Sequence, residues 1–598
     1  MLRNKCALVV VLFCLAPSAR AATIPGEYDK LIQHRGEITA FGSEGFGDRI
    51  DIGSGDLEIV QTDVDLPGNN ALPVRIARRF TPGNKYASGH FGVWNLDIPY
   101  VHGVFSNYNH YGNPVGWTVD GSGGDIYKRC SQFSAPPFIH FQISVFEADE
   151  YWHGSFFHLP GGGEQELLYG GHVPSDGNAY SVTTKNGAAV RCVALAATSS
   201  GQGEGFEVVT PDGTVYTLNQ MVERTEASIS KPAGSVTLLT TANAYNAAAA
   251  NAVVESLAAT TFHLSRNEVI LYPTKVTDRF GNSVTYTWSA TNPWQLLQIT
   301  ASDGRQITLT YPDASSRQVS SVSDGTRTWT YSGTSSAYTV TQPDGSKWLS
   351  NLTDLFTYSL IPPIPSETNC DTEQTTAGAA ATGTITAPTG ATVVFTMVPV
   401  KLGRSWAPRE CISDDDGNVL YAREPRVYFN LAITGKKITG PGLPATGLSW
   451  THAYGAPNGC WAVTGIGNAC TSSSPTSRTV TVTAPDGDAT RYTFGNQFAV
   501  NEGLLLKVES GWNGTSALRT VETTYADMYA VPYHAYSGSS PRGRGDAVVS
   551  GKKHPQRKVT TTQQGRSFTW EVAADCSGMP YCFDTYARPT KVIRSSSP

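Results

Sequence analysis

From Tyr272 to Trp348 apolar and polar positions alternate in short runs, and each run is opened by a turn that carries glycine. Thr277-Asp-Arg-Phe-Gly281-Asn leads into Ser283-Val-Thr-Tyr-Thr-Trp288, and Ser302-Asp-Gly304-Arg leads into Gln306-Ile-Thr-Leu-Thr-Tyr311. Ser323-Asp-Gly325-Thr leads into Arg327-Thr-Trp-Thr-Tyr331, and Pro343-Asp-Gly345-Ser into Lys347-Trp348. A period of two predicts strands with Val284, Tyr286 and Trp288 on one face and Ser283, Thr285 and Thr287 on the other. Glycine in an Asp-Gly turn supplies the positive φ that a tight hairpin needs. Gly281, Gly304, Gly325 and Gly345 lie 23, 21 and 20 residues apart. That spacing predicts stacked hairpin repeats, each burying its aromatic face on the next. A β sandwich with evenly spaced hairpins gives the same pattern and stays open as an alternative.

Composition agrees with a mainly β chain. Of 598 residues 40% are hydrophobic and only 16% charged, with 59 Gly, 35 Pro and 5 Met. This bias favours strands and turns over long helices. A formal charge of -6 without a sustained basic run argues against nucleic acid as a partner. Arg3 and Lys5, the apolar stretch Cys6 to Pro17 and Ala19-Arg20-Ala21 read as a secretory signal cleaved after Ala21. The apolar stretch is too short for a membrane span, so export to the periplasm, the cell surface or the extracellular space is expected. Cys130, Cys192, Cys370, Cys411, Cys460, Cys470, Cys576 and Cys582 remain after cleavage. An even number in an exported chain favours disulfides, with Cys460/Cys470 and Cys576/Cys582 close enough to pair locally. Cys130/Cys192 and Cys370/Cys411 are then left by elimination. No CxxC pair supports zinc, and no cofactor is expected.

Several phrases have a recognisable order. Asp51-Ile-Gly53-Ser-Gly55-Asp56-Leu57 is followed by Thr62-Asp63-Val-Asp65-Leu66-Pro67-Gly68, Arg75-Ile-Ala-Arg78-Arg79-Phe80 and Phe91-Gly92-Val-Trp94. Phe206-Glu-Val-Val-Thr-Pro211-Asp212-Gly213-Thr-Val-Tyr216 precedes the array, and Lys437-Ile-Thr-Gly440-Pro441-Gly442-Leu443-Pro444 follows it. Near the end stands Phe583-Asp584-Thr-Tyr-Ala-Arg588-Pro589-Thr590-Lys591-Val592. Together these resemble the N-terminal portion of secreted bacterial RHS/YD-repeat proteins, and the last resembles the Tyr-Asp-x-x-Gly-Arg turn that names the family. Ala587 stands where the family has Gly, and the Tyr-Asp dipeptide is absent from the central array.

The resemblance implies an antiparallel β module followed by divergent β-hairpin repeats that form a solenoid or partial shell. It divides the chain into a signal peptide (1–21), an N-terminal module (22–230), an Ala-rich insertion or linker (231–261) and divergent repeats (262–350). A low-complexity linker (351–382), a further β repeat segment (383–575) and a truncated repeat start (576–598) follow. The family's Asp-Pro-x-Gly self-cleavage motif is absent. The implied function is therefore a non-catalytic scaffold, the leading part of a toxin-encapsulating shell without its effector, acting at cell surfaces or in intercellular competition.

Candidate chemistry is sparse. Seven of the twelve histidines fall between His90 and His172, including His102, His110, His140, His153 and His158. Their spacing offers no His-x-His or His-x-x-x-His pair, so packing on aromatics is expected rather than metal binding. Asp414, Asp416 and Asn418 alternate as calcium ligands do, yet no glutamate closes the loop and a solvated acidic turn is expected. No nucleophile elbow, zinc-protease or phosphate-loop motif occurs. No catalytic residue is assigned. Two alternatives remain: a carbohydrate-binding adhesin that stacks glycans on Trp117 or Trp152, and a secreted polysaccharide hydrolase. Envelope proteins or surface glycans are the expected partners. An open sheet edge would favour self-association.

Overall fold

The computed structural model describes residues 45–83, 89–107, 116–119, 125–141, 144–170, 178–232, 261–334, 337–358, 379–413, 419–527, 531, 538–543, 554–576 and 578–597. The signal sequence, most of the Ala-rich segment, Cys370 and the acidic loop Asp414, Asp416, Asn418 lie outside them.

The protein is mainly β and antiparallel throughout its main sheet. Eight strands close on themselves: Tyr100–Ser106, Ser155–Leu159, Gly163–Tyr169, Val182–Thr184, Ala189–Ala194, Glu204–Val209, Val215–Pro232 and Thr261–Thr277. The last strand completes the ring by pairing Arg266–Leu271 with Ser106–Val101. It then leaves the ring, because Lys275–Thr277 pair instead with Thr285–Ser283 of the next strand. From there one antiparallel meander runs strand by strand to Val592–Ser597.

The ring is filled by its own side chains, among them Phe105, Trp117, Phe157, Phe206 and Leu271. Trp117 stacks on Phe105 at 4.7 Å and leans on Phe206 at 5.2 Å. Cys130–Cys192 joins this filling to the ring wall.

A separate four-stranded sheet (Asp48–Ile50, Leu57–Asp65, Arg75–Phe80, Asn95–Leu96) lies on the inner face of the meander. The repeats predicted by alternation supply that face. Val284, Tyr286, Trp288, Ile307, Leu309, Trp329, Tyr331, Tyr338 and Val340 are all buried in one core with Phe80 of the first sheet and Phe46, Phe91 and Trp94 of the segments that flank its strands. Each such side chain contributes about 1.5–3 kcal/mol by leaving water, which a lone hairpin could not achieve.

One turn geometry recurs. In Ala301–Arg305 the Gly304 N–H donates to the Ala301 carbonyl and the Ala301 N–H to the Arg305 carbonyl. Thr210–Thr214, Gln342–Ser346, Ala387–Ala391 and Ala484–Asp488 repeat both bonds. These are three-residue loops whose last member sits at positive φ, 90° for Gly304 and 84° for Gly345, and not the two-residue turns that Asp-Gly alone suggests. Asp324–Arg327 differs, since its loop is one residue shorter and closed by the Asp324 N–H on the Arg327 carbonyl.

Asp278–Asn282 and Asp584–Arg588 are the same turn again. The Asp278 carboxylate accepts from the N–H groups of Phe280 and Asn282, both at 2.9 Å. The Asp584 carboxylate accepts from those of Tyr586 and Arg588, also at 2.9 Å. Gly281 has φ 87° and Ala587 has φ 61°. An L side chain in the left-handed region costs about 1–2 kcal/mol. Ala587→Gly is therefore expected to stabilise this end by about 1 kcal/mol after the entropy of a new glycine is subtracted. Slower amide exchange in Val592–Ser597 would register the gain, and faster exchange would contradict it.

Candidate functional site

Three features present chemistry beyond packing: the seam between the first sheet and the array, a histidine–carboxylate cluster, and the inner face of the later strands.

The seam is built from the residues whose order carries the family resemblance. Arg78 on Arg75–Phe80 forms two hydrogen bonds with Asp63 on Leu57–Asp65, at 2.7 and 2.9 Å, and a third with Gln61 at 2.9 Å. Its guanidinium lies 4.9 Å from the Trp94 ring, and Tyr331 of the array donates to Asp63 at 3.0 Å. Phe91 packs on Tyr331 at 4.8 Å. Gly92 must be glycine: a Cβ there would lie 2.9 Å from the Tyr338 ring at φ 65°. Further along the seam Lys436 reaches Asp48 at 2.6 Å, both buried. The recognised phrases thus encode contacts that seat one sheet on another.

The histidine cluster joins ring and first sheet. His102 Nδ1 lies 2.8 Å from Glu268 and its Nε2 2.9 Å from Glu164. His158 Nε2 lies 3.0 Å from Asp97, and its Nδ1 is 3.2 Å from Glu164. Arg79 binds Glu58, Glu164 and the Tyr100 hydroxyl, while Arg224 binds Glu268 and the Asn95 amide oxygen. Tyr100 stacks on His158 at 4.6 Å. The histidines pack on aromatics as expected, but their polar ends also enter a carboxylate network that the spacing did not announce. No group of three or more metal-ligating side chains occurs among the described residues. Each carboxylate oxygen of Glu164 and Glu268 already meets a cation or imidazole, so the cluster is a cross-brace rather than a poised acid or base.

Its charge has a pH signature. Burial opposes protonation of His102, but Glu164 and Glu268 together outweigh it and hold the imidazole at about 9. Burial likewise opposes ionisation of Glu164, and His102 and His158 prevail to keep it below the usual carboxylate range. A raised histidine contributes stability that is complete below its unfolded value near 6.5 and is lost as pH rises through about 9. A lowered glutamate contributes stability that is present above its unfolded value near 4.5 and is lost on acidification. His102→Gln should therefore cost roughly 2 kcal/mol at pH 6 and little at pH 10. Denaturant melts of both proteins at the two pH values would show it; an equal loss at both would exclude the charge.

The inner face continues past the first sheet. Lys436 pairs in register with Trp450, and Trp450, His452 and Tyr454 share a face. Tyr454 pairs with Val480, then Tyr492, Val508, Val521, Thr561 and Phe568 follow rung by rung. The first sheet reaches as far as Phe494, whose ring lies against Gly53. Beyond it Val508, Val521, Val559 and Trp570 are half-exposed and Phe568 is 52% exposed. The opposite face carries ion pairs, Arg491–Glu509, Lys507–Glu509 and Lys507–Glu522. Val592–Ser597 pairs on one side with Arg566–Val572 and is exposed along its whole length.

Other expected positions resolve as follows. Cys130–Cys192, Cys460–Cys470 and Cys576–Cys582 are disulfides, which fits an oxidising environment. Cys411 has its expected partner Cys370 outside the described residues. Trp117 and Trp152, expected at the surface as glycan platforms, are each 1% exposed and belong to the ring core, so they cannot stack a sugar. No described helix is long and apolar enough to cross a membrane. The turns at Gly390 and Gly487 went unnoticed in the sequence, although Ala387-Pro-Thr-Gly390 and Ala484-Pro-Asp-Gly487 match Gln342-Pro-Asp-Gly345.

No family model and no curated protein matches the chain. Among solved structures it is similar to one in the TcdB2-TccC3-Cdc42 complex, with 8% identity, a TM-score of 0.25, and coverage of 88% of this chain and 35% of that one. A second is in the Photorhabdus luminescens Tc holotoxin pore, with 10% identity, a TM-score of 0.14, and coverage of 90% and 27%. The chain thus spans about a third or less of the length of each.

Proposed function

We propose that the chain is a non-catalytic exported scaffold, the leading part of an RHS/YD-type β shell acting in cell-surface interaction or intercellular competition. One observation carries this reading: an apolar inner face, layered by the first sheet as far as Phe494 and left partly open at Val508, Val521, Val559 and Phe568. A face of this kind is suited to holding another polypeptide layer. The histidine–carboxylate network, in which each oxygen of Glu164 and Glu268 meets a cation or imidazole, and the sequence resemblance support the same reading.

Two measurements test it. Purified protein should turn over no member of a polysaccharide panel, and deleting the chain should change the outcome of contact-dependent competition between strains. Turnover abolished by a single Asp or Glu substitution would replace the scaffold with a hydrolase.

A further inference from the structure

Two adjoining cavities of about 310 and 390 Å³ open where the ring meets the turn Ser289–Gln295, and Ser200 and Glu223 line both. Their walls carry the amides of Asn107, Gln202, Asn267 and Asn292 and the hydroxyls of Ser200 and Ser315. Three groups there lack a full complement of partners. The side-chain oxygen of Asn107 is buried and accepts no hydrogen bond among the described residues. Glu223 accepts a long bond of 3.3 Å from Asn267 and forms no ion pair among the described residues. Arg317 lies 4.7 Å from the Trp294 ring and has no carboxylate partner among the described residues. Space for the carboxylate is maintained by Gly116, where a Cβ would fall 2.3 Å from Glu223 Oε1. Arg129 beneath it spends three of its donors on the carbonyls of Trp117, Gln202 and Glu204, while its charge favours the ionised Glu223 carboxylate.

A ligand that satisfies this wall needs hydroxyl donors for Asn107 and Glu223 and an anionic acceptor for Arg317. Amide-lined cavities suit vicinal hydroxyls, which both donate and accept. The indole of Trp294 is itself only 6% exposed, so the Arg317 guanidinium forms the accessible platform. We infer that this paired cavity binds an acidic sugar unit, with its hydroxyls on Asn107 and Glu223 and its carboxylate on Arg317. The site does not depend on the scaffold reading, and a variant that loses sugar would leave the sheet seam and the partly open inner face unchanged.

The test is calorimetric titration of the full chain with a glucuronic acid oligosaccharide, its neutral glucose counterpart and alanine as a zwitterion. Arg317→Ala and Asn107→Ala should each weaken binding of the acidic oligosaccharide by about tenfold or more, the effect of losing a bond to a charged or buried group. The neutral sugar should bind wild type at least about tenfold more weakly, and Arg317→Ala should abolish that preference. Arg317 is exposed, so its variant keeps the fold, and near-ultraviolet circular dichroism verifies both variants. The inference is overturned if the acidic oligosaccharide fails to bind at millimolar concentration. It is equally overturned by tighter binding of alanine, or by affinities that neither variant changes.

Discussion

Arg78→Ala will loosen the first sheet from the hairpin array and cost about 3–5 kcal/mol, the range for stripping one partner from a buried ion pair. Arg78 and Asp63 are 1% and 4% exposed in their side chains. Without the guanidinium, Asp63 keeps only the Tyr331 hydroxyl as a donor among the bonds described, and its charge stays far from water. The Trp94 face also loses its cation. Hydrogen exchange should rise in Leu57–Asp65 and Arg75–Phe80 well before it rises in the ring. The pair need not be a net source of stability, because two apolar residues of similar volume avoid the desolvation cost. Arg78→Met with Asp63→Leu should therefore recover much of the loss, and a double-mutant cycle measures the coupling. A loss below about 1 kcal/mol in Arg78→Ala would show that water reaches Asp63 in solution.

The second large effect is expected from Cys130–Cys192, which closes a sequence separation of 62 residues. The chain-entropy relation gives about 4 kcal/mol for a loop of that length, against about 2–3 kcal/mol for the separations of 10 and 6 at Cys460–Cys470 and Cys576–Cys582. The native contacts around it are ready to hold the segment, since Glu204 accepts from the N–H groups of Cys130 and Ser131. The bond therefore acts mainly on the unfolded ensemble. Cys130→Ala with Cys192→Ala should lower the melting temperature of the ring, and reducing the wild-type protein should lower it similarly. Exchange should quicken in Ala189–Ala194 and Glu204–Val209 while Ser283–Trp288 keeps its protection. A double variant as stable as the oxidised protein would contradict the entropic account.

Strand alternation was legible because it is local. Val284, Tyr286 and Trp288 lie on one face in any strand, and burial of all three follows once a layer covers them. The turn glycines were equally legible, since positive φ is a property of one residue. Ala587 was visible as a departure from the family turn, and its φ of 61° gives that departure a physical cost. Loop length was less legible: the same Asp-Gly pair closes three-residue loops at Gly304 and Gly345 and a shorter one at Gly325. Which of these forms depends on the register of the flanking strands.

Histidine spacing misled in a different way. His102 and His158 lie 56 positions apart, yet both meet Glu164 because their strands are neighbours in the ring. Trp117 and Trp152 carry no sequence mark that separates a surface platform from a core ring, and the closing of eight strands put them inside.

The sequence by itself determined the β class, the alternation of faces and the positions of most turns, since each rests on interactions within a few residues. Only the tertiary structure decided which faces are covered, that the strand Thr261–Thr277 both closes the ring and starts the meander, and that Lys436 meets Asp48 across 388 positions. Those outcomes depend on which strand lies beside which and on what then leaves water, and neither is a property of any single segment.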